Sequence, residues 1–220
     1  MDIVEIRHLK KYFQDGPQVI KALDGINLSI EKGKFTAIVG ASGSGKTTLL
    51  NSIAGLYQPT EGTVTVDGLD LSQMDEEQLT VFRRRKIGFV FQGYNLVPEL
   101  TIRENIIFPL ALDDSRPDTE YFSHLVHLLG LDDHLDDHPY MLSGGAQQCT
   151  AIARALIAKP SIVLADEPTG SFDIKTTQNV AGLLKVTAAT FHQTLVVITH
   201  NLDLAQLADR VVRLQDGKIV

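Results

Sequence analysis

The stretch that most constrains this chain is GASGSGKT, Gly40 to Thr47. It follows the apolar run Phe35 to Val39 and leads into a segment of helical spacing, Lys46 to Ala54, that stops at Gly55 with Pro59 just beyond. Every defined position of G-x-x-x-x-G-K-[ST] is met, and strand, Gly-rich loop, helix is the context in which that pattern cradles phosphate. Backbone N–H groups of Gly40, Ser42, Gly43, Ser44 and Gly45 can curl round phosphate oxygens. Lys46 supplies a point charge to the outer phosphates, the Thr47 hydroxyl can ligate Mg2+, and Thr48 continues the same helix start.

A phosphate loop of this kind needs a carboxylate at the end of a neighbouring buried strand to hold the metal. Ile162-Val163-Leu164-Ala165-Asp166 provides it, with Asp166 as the metal carboxylate. Glu167 follows at once, placed to polarise a water attacking the γ-phosphate as general base. His200 closes the apolar run Leu195 to Ile198 at another strand's C-terminal end, where open α/β sheets bind their ligands. Gln92, after Gly88-Phe89-Val90-Phe91, stands at a further strand end and can bind metal or the attacking water.

The remaining organisation follows from periodicity and turn residues. Strands are expected over Asp2 to Leu9, Ile26 to Ile30 and Thr63 to Val66, with turns at Asp15-Gly16-Pro17, Lys32-Gly33 and Asp67-Gly68. Helices are expected near Asp75 to Arg84, Ile102 to Leu110, Asp118 to Leu129 and Ser143 to Ala158, which read as an inserted helical lobe. Alternation then resumes: strands Ser161 to Ala165 and Thr194 to Thr199 around a helix near Ile174 to Ala189, a helix near Leu202 to Ala208, and a hairpin around Asp216-Gly217.

Composition narrows the partners. A net charge of -7 argues against a general electrostatic grip on nucleic acid or anionic lipid. The one dense basic run, Arg83 to Lys86, reads as a solvated helix end behind Asp75, Glu76 and Glu77. One cysteine, Cys149, excludes an internal disulfide or a cysteine zinc cluster and fits a reducing compartment. The start, MDIVEIRHLKKYF, lacks the apolar core of a secretion signal. No run approaches the roughly 18 apolar residues of a membrane span, so membrane work would need another chain to supply it. The acidic stretch Leu131 to His138 reads as a solvated loop, since nothing in its spacing fixes a metal geometry.

One motif is ambiguous alone. LSGGAQQCTAIARAL, Leu142 to Leu156, combines a serine able to cap, two glycines with no side chain in the way, and the free N–H groups of a helix start. That chemistry binds an anion without saying which.

Taken together, GASGSGKT, FQGYN, LSGGAQQ, IVLADE, GSFD and ITH, in this order, resemble the nucleotide-binding subunit of ATP-binding cassette (ABC) transporters over essentially the whole chain. The resemblance implies one ABC ATPase domain over residues 1–220. Its fold class is α/β: a P-loop NTPase, RecA-like core with an N-terminal antiparallel β-subdomain over 1–92 and 159–220, and an inserted α-helical subdomain over 93–158. It implies that two such subunits, here a homodimer, pair head to tail, each ATP lying between the P-loop of one and the LSGG of the other. Tyr12 matches the aromatic that stacks on adenine and Gln92 the loop glutamine. Ser143, Gly144 and Gly145 match the motif that meets the partner's γ-phosphate, Glu167 the base, His200 the switch histidine, and Asp173 the loop joining the two sites.

FQGYNLVPELTIRENIIFPLAL and DEPTGSFD look like the macrolide, antimicrobial-peptide and lipoprotein exporters, relatives of the cell-division ATPase. That likeness implies MgATP hydrolysis driving a separate permease, contacted near residues 94–110. It places the chain in the cytoplasm, peripheral on the membrane through that permease, without membrane insertion or nucleic acid. The alternative is a regulatory or structural ABC ATPase that signals through a membrane partner without moving solute. Three positions depart from the family pattern: Ala146 stands for Glu or Gln, Cys149 for Arg, and Phe172 for Leu. Loss of a polar group facing ribose at Ala146 should weaken closure by about one hydrogen bond, roughly 0.5 to 1.5 kcal/mol. The expectation is a slow but competent ATPase.

Overall fold

The structure is a computed structural model that describes residues 1–170 and 172–220; Ser171, in the GSFD stretch, lies outside them. A long hairpin opens the chain, β1 (Asp2–Asp15) and β2 (Gln18–Glu31), followed by β3 (Phe35–Val39), α1 (Lys46–Ile53), β4 (Glu61–Val66) and β5 (Leu69–Asp70). Next come α2 (Glu76–Lys86), β6 (Ile87–Val90), α3 (Ile102–Ala111), α4 (Thr119–Leu128) and α5 (Gly144–Leu156). The chain closes with β7 (Ile162–Asp166), α6 (Ile174–Thr190), β8 (Thr194–Thr199), α7 (Leu202–Gln206), β9 (Arg210–Gln215) and β10 (Lys218–Ile219).

The strands form two sheets. One is antiparallel in the order β2-β1-β4-β5; the other runs β10-β9-β3-β8-β7-β6, parallel except for the terminal hairpin β9-β10. The parallel sheet is buried on both faces, which is why β3, β7 and β8 are predominantly apolar rather than alternating. Along β7, Ile162 and Leu164 point into one apolar cluster and Val163 and Ala165 into another; along β8, Val196 and Ile198 oppose Leu195 and Val197 in the same way. The first cluster is shared with the antiparallel sheet, α1 and α2, the second with α3 to α6. Each fully buried Leu or Ile in these layers contributes roughly 1.5 to 3 kcal/mol.

Most of the longer helices start at a side-chain cap, α1 at Gly45 being the exception. Asp75 and Thr101 form capping boxes with Gln78 and Glu104, Asp118 caps α4, and Asp173 caps α6. The basic run is not the solvated helix end that its charge pattern implies. Arg84 and Arg85 pair with Asp113, Lys86 with Asp67, and Arg83 donates to the Gly55 carbonyl, so the end of α2 is fastened to three neighbouring segments. The final helix stops at Gln206, short of Ala208. After Leu131 comes a short 3-10 turn, Asp132–His134, whose His134 meets Asp137 at 2.8 Å, and no three His, Cys, Asp or Glu residues among the described residues are grouped to hold a metal ion.

Candidate functional site

Parallel register brings the motifs to one edge. Val39 pairs with Thr199 across β3 and β8, Asp166 with Ile198 across β7 and β8, and Ala165 with Val90 across β7 and β6. Because these four strands run the same way, the residues just beyond their carboxyl ends, the loop after Val39, Glu167, His200 and Gln92, meet at a single rim. There they line a cleft of about 970 Å3 with Ser42, Gly43, Gly45, Lys46, Thr47 and Thr48.

The loop between β3 and α1 is built for close approach. Gly45 has φ +102°, and a Cβ there would lie 2.4 Å from the Ala22 carbonyl oxygen, so no other residue fits. The Ser44 carbonyl accepts from the Gly217 N–H at 3.0 Å, and the Gly217 carbonyl accepts from Asp24 N–H at 2.9 Å, fastening the loop to the terminal hairpin and β2. Lys46 is buried, its ammonium donating to the Gly40 and Ala41 carbonyls at 2.8 and 2.9 Å. Those two bonds tie the amine to the loop itself, in a side chain that lines the cleft. Ser44 Oγ is buried with no partner among the described residues, an orphaned group of the kind a bound ligand completes.

The carboxylates differ in environment. Burial raises the Asp166 pKa, the Glu167 charge adds to the rise, and the Thr47 hydroxyl and Lys46 oppose it. An oxygen donor set of Thr47 and Asp166 with a carboxyl short of positive partners fits a hard divalent cation such as Mg2+. Glu167 sits at φ +44° and is largely enclosed. Its Oε1 lies 2.9 Å from His200 Nδ1, while its Oε2 accepts from the Thr199 hydroxyl at 3.1 Å and the His200 N–H at 3.3 Å. Thr199 was not among the sequence candidates; its signal was only its place before His200. The Gln92 amide packs against the loop beyond Glu167, since a Cβ on Gly170 would lie 2.7 Å from Gln92 Nε2.

Other candidates stand apart. Ser143 caps α5 by accepting from the Ala146 N–H at 3.3 Å, and it lines neither this cleft nor, with Gly144 and Gly145, contributes to it. Gly144 is closely covered within the same chain: a Cβ would meet the Tyr94 hydroxyl at 2.8 Å and Phe172 Cε1 at 3.2 Å, from two rings stacked 6.1 Å apart. Tyr94 and Asn95 have φ +60° and +51°, and Arg154 of α5 donates to their carbonyls at 2.7 and 2.6 Å. The sequence carried no signal for that clamp. Asp173 accepts from the Thr176 N–H and hydroxyl, bonds that lower its pKa. Tyr12 does not line the cleft either. Its hydroxyl donates to Asp24 at 2.5 Å, a bond that raises the phenol's pKa and lowers the carboxyl's.

A protein-family model described as ABC transporter matches residues 23–170. The chain is 40% identical over 223 residues to an ABC transporter ATP-binding protein of Methanocaldococcus jannaschii, covering 99% of this chain and 95% of the relative. It is also 40% identical over 221 residues to the lipoprotein-releasing system ATP-binding protein LolD of Acinetobacter baylyi, covering 98% and 96%. The macrolide export ATP-binding/permease protein MacB of Syntrophobacter fumaroxidans is 40% identical over 223 residues and longer: the chain spans 31% of its length. A solved structure of the archaeal relative, a dimeric post-hydrolysis state bound to ADP and Pi, matches with a TM-score of 0.87 at 40% identity, covering 98% of this chain and 96% of that one. The α/β P-loop fold, the matched family and these relatives agree, and the chain belongs to the ABC transporter family as an ATP-binding, ATP-hydrolysing cassette.

Proposed function

We propose that this cassette binds MgATP at the cleft, pairs head to tail with a second copy of itself, and hydrolyses ATP to drive a separate membrane permease of macrolide, antimicrobial-peptide or lipoprotein exporter type. The observation that carries this reading is the split between the two halves of the site. Lys46, Asp166, Glu167, Gln92 and His200 share one rim, whereas Ser143, Gly144 and Gly145 do not line it. A helix start with exposed Ser143 is an anion site in search of a phosphate, and a second copy supplies one. The archaeal relative is described as dimeric and bound to ADP and Pi, which supports the same arrangement here.

Each residue then has a task. Gly40 to Gly45 wrap the phosphates with backbone N–H groups, and Lys46 balances charge on the outer phosphates. Thr47, Asp166 and Gln92 would hold Mg2+, which when bound offsets the negative charge of the phosphate oxygens. Glu167 takes a proton from the attacking water, and His200 orients the Glu167 carboxylate through Nδ1. Tyr12 offers its ring to the base, and Asp173 at the start of α6 couples the two sites across the pair.

No helix among the described residues is long and apolar enough to cross a membrane. A groove of about 300 Å3 with Phe89, Phe91, Phe108 and Leu112 in its wall and Arg84 and Arg154 among its lining is the surface we assign to the permease, overlapping residues 94–110. Docking there would hold the cassette on the cytoplasmic face of the membrane. The test is phosphate release and ATP-dependent dimerisation by the purified chain and by Glu167→Gln. Wild type should turn over slowly, and the variant should bind ATP, accumulate dimer and lose turnover. Wild-type hydrolysis in Glu167→Gln would refute the assigned base.

A further inference from the structure

Tyr12 does not line the cleft, but the residue paired with it across the hairpin does. Lys21 stands directly across from Tyr12 in the β1–β2 ladder, and its ammonium lies 5.4 Å from the centre of the Tyr12 ring. Cross-strand neighbours of this kind interact along their whole side chains. Lys21 is exposed and forms part of the cleft wall, whereas Tyr12 does not. The ammonium also feels the Asp24 carboxylate, the same group that anchors the Tyr12 hydroxyl. The phenol is thus fixed at its far end, and one face of its ring carries a cation.

We propose that Lys21 is a lid on the Tyr12 base platform and sets how much of the nucleotide's affinity comes from its base. The inference rests on the assignment of Tyr12 as that platform. A planar base can stack on the ring only where the ammonium gives way, and the contact it replaces is an exposed cation–aromatic one. The phosphates bind elsewhere in the cleft, on the loop from Gly40 and on Lys46, so their share of the affinity does not depend on the lid. Lys21 therefore acts as a specificity residue. It weakens the base's contribution and leaves the cassette more dependent on the phosphate chain than an uncovered tyrosine would.

The test compares ADP with inorganic pyrophosphate, both in magnesium buffer, by titration calorimetry on the full chain, since neither ligand carries a γ-phosphate to close a dimer. The quantity read is the ratio of the pyrophosphate Kd to the ADP Kd. In Lys21→Ala that ratio should rise about 2- to 5-fold, the size of an exposed cation–aromatic contact. In Tyr12→Ala it should fall, and adding Lys21→Ala to that background should leave it where it is. A ratio that Lys21→Ala leaves unchanged or lowers overturns the lid; equal weakening of both ligands would make Lys21 a phosphate contact instead. An equal rise in the Tyr12→Ala background also overturns it. If Tyr12→Ala leaves the ratio unchanged, the platform itself fails and the lid with it, an outcome distinct from a falling ratio in Tyr12→Ala with no response to Lys21→Ala.

Discussion

His200 Nδ1 lies 2.9 Å from Glu167 Oε1, and the hydroxyl of Thr199 and the N–H of His200 converge on the other oxygen of the same carboxylate. Three donors from the end of β8 thus hold a side chain from the end of β7. Glu167→Gln keeps shape and several of these bonds but cannot accept a proton. It should lower turnover by about 10²- to 10⁴-fold with ADP affinity unchanged. Thr199→Val should leave ADP affinity intact and lower turnover less, because it removes one of the three bonds and no base. Steady-state phosphate release and ADP titration separate the two.

Asp166 gives a prediction in pH. Burial and the Glu167 charge raise its pKa above the unfolded value of 3.8. The folded chain therefore holds that proton more tightly than the unfolded chain. The associated stability is present below the unfolded value and is lost as pH rises through the folded one. At neutral pH the ionised carboxylate is a cost retained for function. Asp166→Asn should raise the Tm of the nucleotide-free protein at pH 7, by about 2 to 4 °C for each kcal/mol relieved. The gain should shrink as pH is lowered toward 4, while ATP hydrolysis falls by about 10²-fold or more. Thermal melts across pH check the sign.

Cys149 is 5% exposed and burial pushes its thiol up to about 11. The start of α5 therefore does not make it a reactive thiolate. A thiol-exchange reagent at pH 7 should label the folded chain far more slowly than the chain in denaturant. Rapid stoichiometric labelling of folded protein would contradict the burial.

Arg154 joins α5 to the loop after Gln92 through two short bonds to carbonyls of left-handed residues. Arg154→Ala removes both, at roughly 1.5 to 3 kcal/mol each at most, and should lower Tm by several degrees. Arg154→Lys should recover little, since one ammonium does not reproduce the planar fork. Hydrogen exchange at Tyr94 and Asn95 should quicken in both variants.

Ala146 presents no polar side chain where the family pattern has one. Ala146→Gln in the Glu167→Gln background should strengthen ATP-driven dimerisation from a few-fold to about tenfold, the worth of one hydrogen bond. ADP affinity of the monomer should not change. Sedimentation of the ATP-loaded protein reads the first and calorimetry the second.

Much of the parallel sheet was legible. Phe35–Val39 and Thr194–Thr199 match the expected strands residue for residue, because strands buried on both faces announce themselves as short runs rich in apolar and β-branched residues. The hairpin β1–β2 was not. Its expected strands, Asp2 to Leu9 and Ile26 to Ile30, stop well short of Asp15 and Gln18. Its outer half is half-buried from Lys10 to Phe13 and exposed from Gln14 to Lys21, and register shifts at Leu9 and Tyr12 break the alternation that would have marked it. Tyr12 and Lys21 both lie on that half, so their pairing had no trace in the pattern.

The sequence by itself determined the phosphate loop, the Asp166–Glu167 pair, the family and the strand-to-helix alternation, since each depends on residues adjacent in the chain. Only the tertiary structure decided that Thr199 and His200 hold Glu167, that Arg154 braces the loop after Gln92, and that Lys21 covers Tyr12. Those contacts join residues distant in sequence or paired across an irregular ladder, and local periodicity carries no information about which side chains such a ladder or sheet brings within hydrogen-bonding reach.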